Sequence, residues 1–167
     1  AFSELGRILR LKKRHPKLII GFGGCLAQHL GTHVYHRAAE VDFVFGTHNI
    51  HLLPEMVAAV EKKRRRITQI DFHKQLPSVN IFAPPPKDAV SAFVTIMHGC
   101  NNFCAYCVVP FLRGPEVSRT PEDIIEEIKR LTDYGIREVT LLGQNVNSYG
   151  KTLNTEMNFT SLIKKVG

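Results

Sequence analysis

No stretch of these 167 residues approaches the run of about 18 apolar residues needed to cross a bilayer. The N-terminal segment "AFSELGRILRLKKRH" lacks the zoned layout of a secretory signal, so the expected compartment is the cytoplasm, with no membrane partner. Acidic residues are in deficit. Fifteen Asp and Glu face 22 Lys and Arg, leaving a net charge of +7 and a pI near 9.4, a balance that favours a polyanionic partner and nucleic acid first. Cysteine is scarce as well, with four in the chain. In a reducing compartment, clustered thiols speak for metal or redox chemistry rather than for a disulfide framework.

Two further signatures are incomplete. "GFGGC" would need glycine at position 26 to read as a dinucleotide-binding loop, and that position is Leu26. His29, His33 and His36 share the i, i+4, i+7 spacing of one helix face, but no glutamate accompanies them as in H-E-x-x-H, and Gly31 weakens the helix between them. A solvated or RNA-facing stripe is the expectation there.

What the chain does contain is a core, at 44% apolar residues, and alternation of helix with strand. Phe2, Leu5, Ile8 and Leu9 recur at helical spacing, with basic residues gathered toward the C-terminal end where a helix dipole favours them. "KLIIGF" reads as a buried strand and "GGC" as a tight turn. Helix is expected over Leu26–Ala39, strand at "DFVFG", and helix from about Leu52 to Arg65 with Leu53, Met56, Val57 and Val60 on its apolar face. Short connections between such elements predict an α/β layer with parallel strands. Composition changes between Lys74 and Asp88, where four of the nine prolines fall, and this stretch reads as an interdomain linker. A second α/β pattern follows. "AVSAFVTIM" is a strand; Thr120 can cap a helix with Pro121 at its first position, Ile124, Ile128 and Leu131 as its stripe and Gly135 as its stop. "EVTLL" is the next strand and "FTSLIKKVG" the start of another helix, so the chain is expected to stop partway through a domain.

Three of the four cysteines sit in "GCNNFCAYC": Cys100, Cys104 and Cys107, spaced C-x3-C-x2-C in a loop leaving the C-terminal end of a strand. Active sites of parallel α/β sheets and barrels are built at that end. Thiolates are soft ligands that suit iron–sulfur clusters, zinc or Cu(I). Zinc wants a closed set of four, which His98 would complete. A four-iron cubane held by three thiolates leaves one iron open to bind and activate a small molecule.

The loop resembles the signature of radical S-adenosylmethionine (SAM) enzymes, including an aromatic, Tyr106, just before the last cysteine. That resemblance implies that Cys100, Cys104 and Cys107 hold a [4Fe–4S] cluster whose open iron chelates SAM and cleaves it to a 5′-deoxyadenosyl radical. The run from "GCNNFCAYC" through "TPEDIIEEIKRL", followed by "TLLGQNVNSYG", is similar to the tRNA-modifying branch of the methylthiotransferase family. "GGCLAQ" resembles the third cysteine motif of that family's N-terminal domain, which implies that Cys25 is one ligand of a second [4Fe–4S] cluster. The first two N-terminal cysteine motifs, the rest of the barrel and the C-terminal RNA-binding domain of the family have no counterpart in this sequence.

The fold class so implied is α/β: the C-terminal part of a small parallel-sheet domain over 1–75, a Pro-rich linker over 76–89, and the N-terminal part of a radical SAM (β/α) partial barrel over 90–167. The implied function is addition of a methylthio group to C2 of N6-isopentenyladenosine next to the anticodon of tRNA. The partners implied are tRNA, SAM, a sulfur donor and an electron donor. Alternatives are the same chemistry on a threonylcarbamoyladenosine tRNA or a ribosomal-protein aspartate, or a non-catalytic zinc module that binds RNA.

Four residues around the cysteine loop are expected at the cofactor. Tyr106 comes from the signature, and Gln144 and Asn145 end the second strand where radical SAM enzymes hold the methionine amino group. Arg119, like Arg113, can meet the SAM carboxylate, the tRNA backbone or a nearby carboxylate such as Glu116. "EKKRRR", Glu61 to Arg66, reads first as a solvated helix end that complements the dipole, while clusters of this kind also supply sequence-independent affinity for nucleic acid.

Overall fold

The computed structural model describes residues 1–63, 65–73 and 84–167. The chain divides into two compact units, Ala1–His73 and Lys74–Gly167. Residues 76–83 of the expected linker lie outside the described residues; the remainder of it makes a turn in which the Ala89 amide donates to the Pro86 carbonyl at 3.0 Å.

In chain order the first unit runs α1 (Phe2–Arg14), β1 (Gly21–Gly23), α2 (Cys25–Leu30), α3 (Val34–Arg37), β2 (Phe43–Phe45), α4 (Leu53–Lys63) and β3 (Ile67–Gln69). The strands are parallel in the order β1-β2-β3, with Phe22, Val44 and Thr68 in register. Strand alternation divides β2 between two faces. Val44 packs with Leu5, Phe22, Ala27 and Val34, whereas Phe43 and Phe45 pack with Met56 and Val60 of α4. Gly21 and Gly23 of "GFGG" serve this packing. A side chain at Gly21 would meet the Phe43 ring at 2.4 Å, and one at Gly23 the Phe45 ring at 2.2 Å.

The expected helix over Leu26–Ala39 is broken in two. Gly31 takes a left-handed φ of +51° and starts a 3-10 turn, Gly31–His33, that separates α2 from α3. The break removes the common face assumed for His29, His33 and His36; the rings of His33 and His36 lie 5.6 Å apart. β3, too short to show a pattern, had no counterpart among the expected strands.

The second unit runs β4 (Ser91–Thr95), β5 (Met97–His98), α5 (Val109–Arg113), β6 (Val117–Ser118), α6 (Pro121–Asp133), β7 (Glu138–Leu142) and α7 (Phe159–Val166). β4 and β7 are parallel, Phe93 opposite Thr140, and α6 is the crossover between them. Val94 and Ile96 pack against Ile124, Ile128 and Leu131 of α6, with Leu162 of α7 joining the same core. The α6 boundary follows its sequence signals. Thr120 Oγ1 accepts from the Asp123 amide at 3.3 Å, and Pro121 occupies the first turn. Thr120→Ala should therefore cost about 1 kcal/mol of unfolding free energy, read from the midpoint of a urea titration.

Candidate functional site

Both segments expected to carry chemistry in the second unit leave the C-terminal ends of β4 and β7, which are neighbours. Ile96, just past β4, donates its amide to Leu142 O at 2.8 Å, so the two exits start side by side. A Cβ on Gly143 would meet Met97 Cγ at 2.5 Å, which keeps the "GQN" segment pressed against the start of the cysteine loop.

The cysteine loop is held at its neck. β5 and β6 pair antiparallel across it, Met97 opposite Ser118 and His98 opposite Val117. Gly99 has φ +75°, and the Cys100 amide donates to Gly114 O at 3.3 Å. Beyond the neck, the Cys107 amide closes a turn onto Cys104 O at 2.9 Å. All three cysteines are free thiols: Cys100 is buried, Cys107 half-buried and Cys104 exposed. Phe103 between them is the one described non-glycine residue with a left-handed φ, +46°. Strain of this kind collects at ligand-binding loops. Its ring meets Phe111 edge-on, 5.9 Å between centroids.

Among the described residues no three His, Cys, Asp or Glu side chains converge on one point as a single metal ion would require. A cubane takes one thiolate per iron corner, so its ligands need not converge, and three free thiols on one exposed loop fit that demand. Gln144 adds a second fit: its Oε1 is buried with no hydrogen-bond partner among the described residues. An acceptor left in that state lacks a donor, and an ammonium group is one that would suit it.

The other expected site residues fall differently. Asn145 uses its carbonyl to accept from Ser148, from the amide at 3.0 Å and from Oγ at 2.9 Å. Tyr106 is 93% exposed. The Arg119 guanidinium is engaged within the fold, paired to Glu127 at 2.6 Å and donating to Thr95 O at 2.7 Å, and not to Glu116. The Arg119 carbonyl accepts from the Tyr149 hydroxyl at 2.9 Å, and burial pushes that hydroxyl up to about 12, which keeps its proton in place. Arg113 Nη1 lies 3.4 Å from His98 Nε2. Cys25 sits in the first unit, as the first residue of α2 directly after β1. Gln28 of the same helix ties that region together, donating to Ile70 O at 2.6 Å and accepting from the Thr47 amide at 3.3 Å.

Two residues that sequence reasoning did not single out as site components connect the strand exits. Glu116 is buried; its Oε2 accepts from Ser148 Oγ at 2.6 Å, and its amide donates to Asn101 Oδ1 at 3.0 Å. The cysteine loop and the loop after β7 are thereby joined through one residue, Glu116, by its amide on one side and its carboxylate on the other. No local pattern announces such a pairing, because the two residues stand far apart in sequence.

Residues 94–161, which contain this whole arrangement, match the model of the radical SAM superfamily. Across nearly its full length the chain is also similar to proteins named tRNA-2-methylthio-N(6)-dimethylallyladenosine synthase. It is 52% identical over 166 residues to the one from Syntrophus aciditrophicus, covering 99% of this chain and 36% of that protein. It is 47% identical over 167 residues to the one from Buchnera aphidicola subsp. Baizongia pistaciae, covering 99% and 37%. The chain spans between 36% and 38% of the length of such curated relatives.

Proposed function

We propose that this chain is the cluster-binding segment of a radical SAM methylthiotransferase that acts on tRNA, placing a methylthio group on C2 of an N6-isopentenyladenosine beside the anticodon. The observation that carries this reading is the meeting of the C-x3-C-x2-C loop and the "GQN" segment at the adjacent C-terminal ends of β4 and β7. Similarity to relatives bearing that enzyme name extends over both units and supports it.

In this reading Cys100, Cys104 and Cys107 hold a [4Fe–4S] cluster as thiolates. Gln144 Oε1 accepts from the SAM ammonium group, with Asn145 beside it. When bound, cluster and SAM together supply one-electron chemistry able to attack an unactivated C–H bond. The chain's own contribution is positional. The β5–β6 ribbon fixes the neck of the loop, Glu116 couples it to the loop after β7, and Gly143 lets that loop approach Met97. Tyr106, exposed on the loop, is assigned to cover the bound cofactor. Arg119 acts one step back, holding the end of β4 to α6 through Thr95 and Glu127. Cys25 is assigned to a second cluster whose other two protein ligands come from outside this sequence, as do the sulfur donor and the reductant. No helix among the described residues is long and apolar enough to span a membrane, and a tRNA substrate places the protein in the cytoplasm.

The test is a comparison of tRNA nucleosides, by mass, from cells with and without the gene. Loss of the methylthio form with accumulation of plain isopentenyladenosine is expected. Loss of a methylthio group from threonylcarbamoyladenosine, or from a ribosomal-protein aspartate, would move the substrate. Colourless protein with stoichiometric zinc after anaerobic purification would overturn the enzyme reading.

A further inference from the structure

The positive charge of the chain is concentrated. Residues 1–73 carry twelve Lys and Arg against six Asp and Glu, while residues 74–167 carry ten against nine, so nearly all the net +7 belongs to the first unit. The fold then gathers it. The last turn of α1 is basic (Lys12, Lys13, Arg14), and α4 ends on Lys62 and Lys63 with Arg65 and Arg66 just beyond. Lys12, Lys13, Arg65 and Arg66 line one open cleft of about 470 Å³, with Glu40 and Asp42 on its wall.

These four cations are not equivalent. Lys12 bonds Asp42 and the Glu40 carbonyl, the latter at 2.7 Å. Arg66 donates to Ala39 O at 2.9 Å and lies over the Tyr35 ring, 5.0 Å from its centroid. Both are thus committed to building the cleft, Lys12 by pairing with Asp42 and Arg66 by holding the Ala39 carbonyl. Lys13 and Arg65 are exposed and make no hydrogen bond or ion pair among the described residues. Complementing two helix dipoles explains basic residues at each helix end. It does not explain why both ends meet around one opening, since collecting like charges costs energy unless an anion answers them.

We propose that this cleft is a contact surface for the phosphodiester backbone of RNA, with Lys13 and Arg65 each meeting a phosphate. The proposal rests on tRNA being the substrate, and assigns the first unit a share in holding it. Arginine suits bidentate phosphate recognition and lysine serves as a point charge. A membrane surface fits less well. The apolar stripe of α1 (Phe2, Leu5, Ile8, Leu9) is used in the core and is not available to insert into a bilayer.

The experiment titrates the 167-residue chain against a tRNA anticodon stem-loop over a range of salt concentrations. It compares the wild type with Lys13→Ala/Arg65→Ala and with Lys164→Ala/Lys165→Ala on α7. The slope of log K against log salt is expected to fall by about 1.4 for the cleft variant, equivalent to about 25-fold weaker binding near 0.1 M salt, and to change little for the α7 variant. Equal losses in both variants would reduce the effect to bulk charge and overturn the proposal. If the wild type binds the stem-loop and the cleft variant keeps its slope, the cleft assignment alone fails. If the wild type binds no RNA, the cleft assignment fails, while the tRNA reading is judged separately by the nucleoside comparison. Loss of binding to phosphatidylserine vesicles, with RNA binding unchanged, would make this a membrane-facing surface instead and overturn the proposal.

Discussion

Cys104→Ala should eliminate SAM cleavage, down to the background given by the reductant alone, and leave the melting temperature almost unchanged. The two halves of that result come from different properties of one residue. Cys104 is exposed, and its one hydrogen bond among the described residues is through the backbone, accepting from the Cys107 amide. Alanine keeps that carbonyl, and an exposed substitution usually changes stability by no more than about 0.5 kcal/mol. The thiolate, by contrast, has no substitute within the loop. Cys100→Ala should stop cleavage as fully, but this side chain is buried, so the variant confounds ligand loss with packing loss. Cys104 is therefore the cleaner test. Anaerobic reconstitution with iron and sulfide, followed by chromatographic measurement of 5′-deoxyadenosine, checks the prediction. Cleavage that survives in Cys104→Ala would remove the cluster assignment.

The parts of the fold that could be read in advance are those specified by neighbouring residues. α6 is the plainest case: cap, proline and stripe all lie within a dozen positions, and Thr120, Pro121, Ile124, Ile128 and Leu131 each take the role their spacing predicts. The parallel pairing of β4 with β7 follows from having that helix between them. What could not be read depends on partners distant in sequence. β5 and β6 are two residues each and exist because they pair with one another. β3 is three residues long and is defined by its register with β2. Arg119 looked like an anion ligand because it follows the cysteines closely; only the fold shows Glu127 waiting one helical segment away. Glu116 was legible as a charge but not as a buried carboxylate under Ser148. In the first unit, "GFGG" falls short of a dinucleotide-binding loop in sequence, and its Gly21 and Gly23 prove to be space for Phe43 and Phe45.

Gly99→Ala is the substitution that should damage the site most without touching a ligand. Two separate penalties meet there. The φ of +75° lies in the left-handed region, which costs an alanine about 1 kcal/mol. The added Cβ would also stand 2.0 Å from Pro115 O and 2.6 Å from Gly114 O, both backbone atoms that cannot rotate away. Gly114 O is the acceptor of the Cys100 amide, so relieving the contact pulls apart the neck of the loop at its first cysteine. A loss of about 2–4 kcal/mol in unfolding free energy is expected, together with a clear drop in iron bound after reconstitution. Gly135→Ala separates the two penalties. Gly135 has a similar φ, +88°, at the end of α6, yet a Cβ there meets nothing within 4 Å. It should cost only the conformational part, about 1 kcal/mol, and leave iron uptake intact. If the two alanine variants lose equal stability and bind iron equally well, the close approach of Gly99 to the 114–115 backbone is not what shapes the cysteine loop.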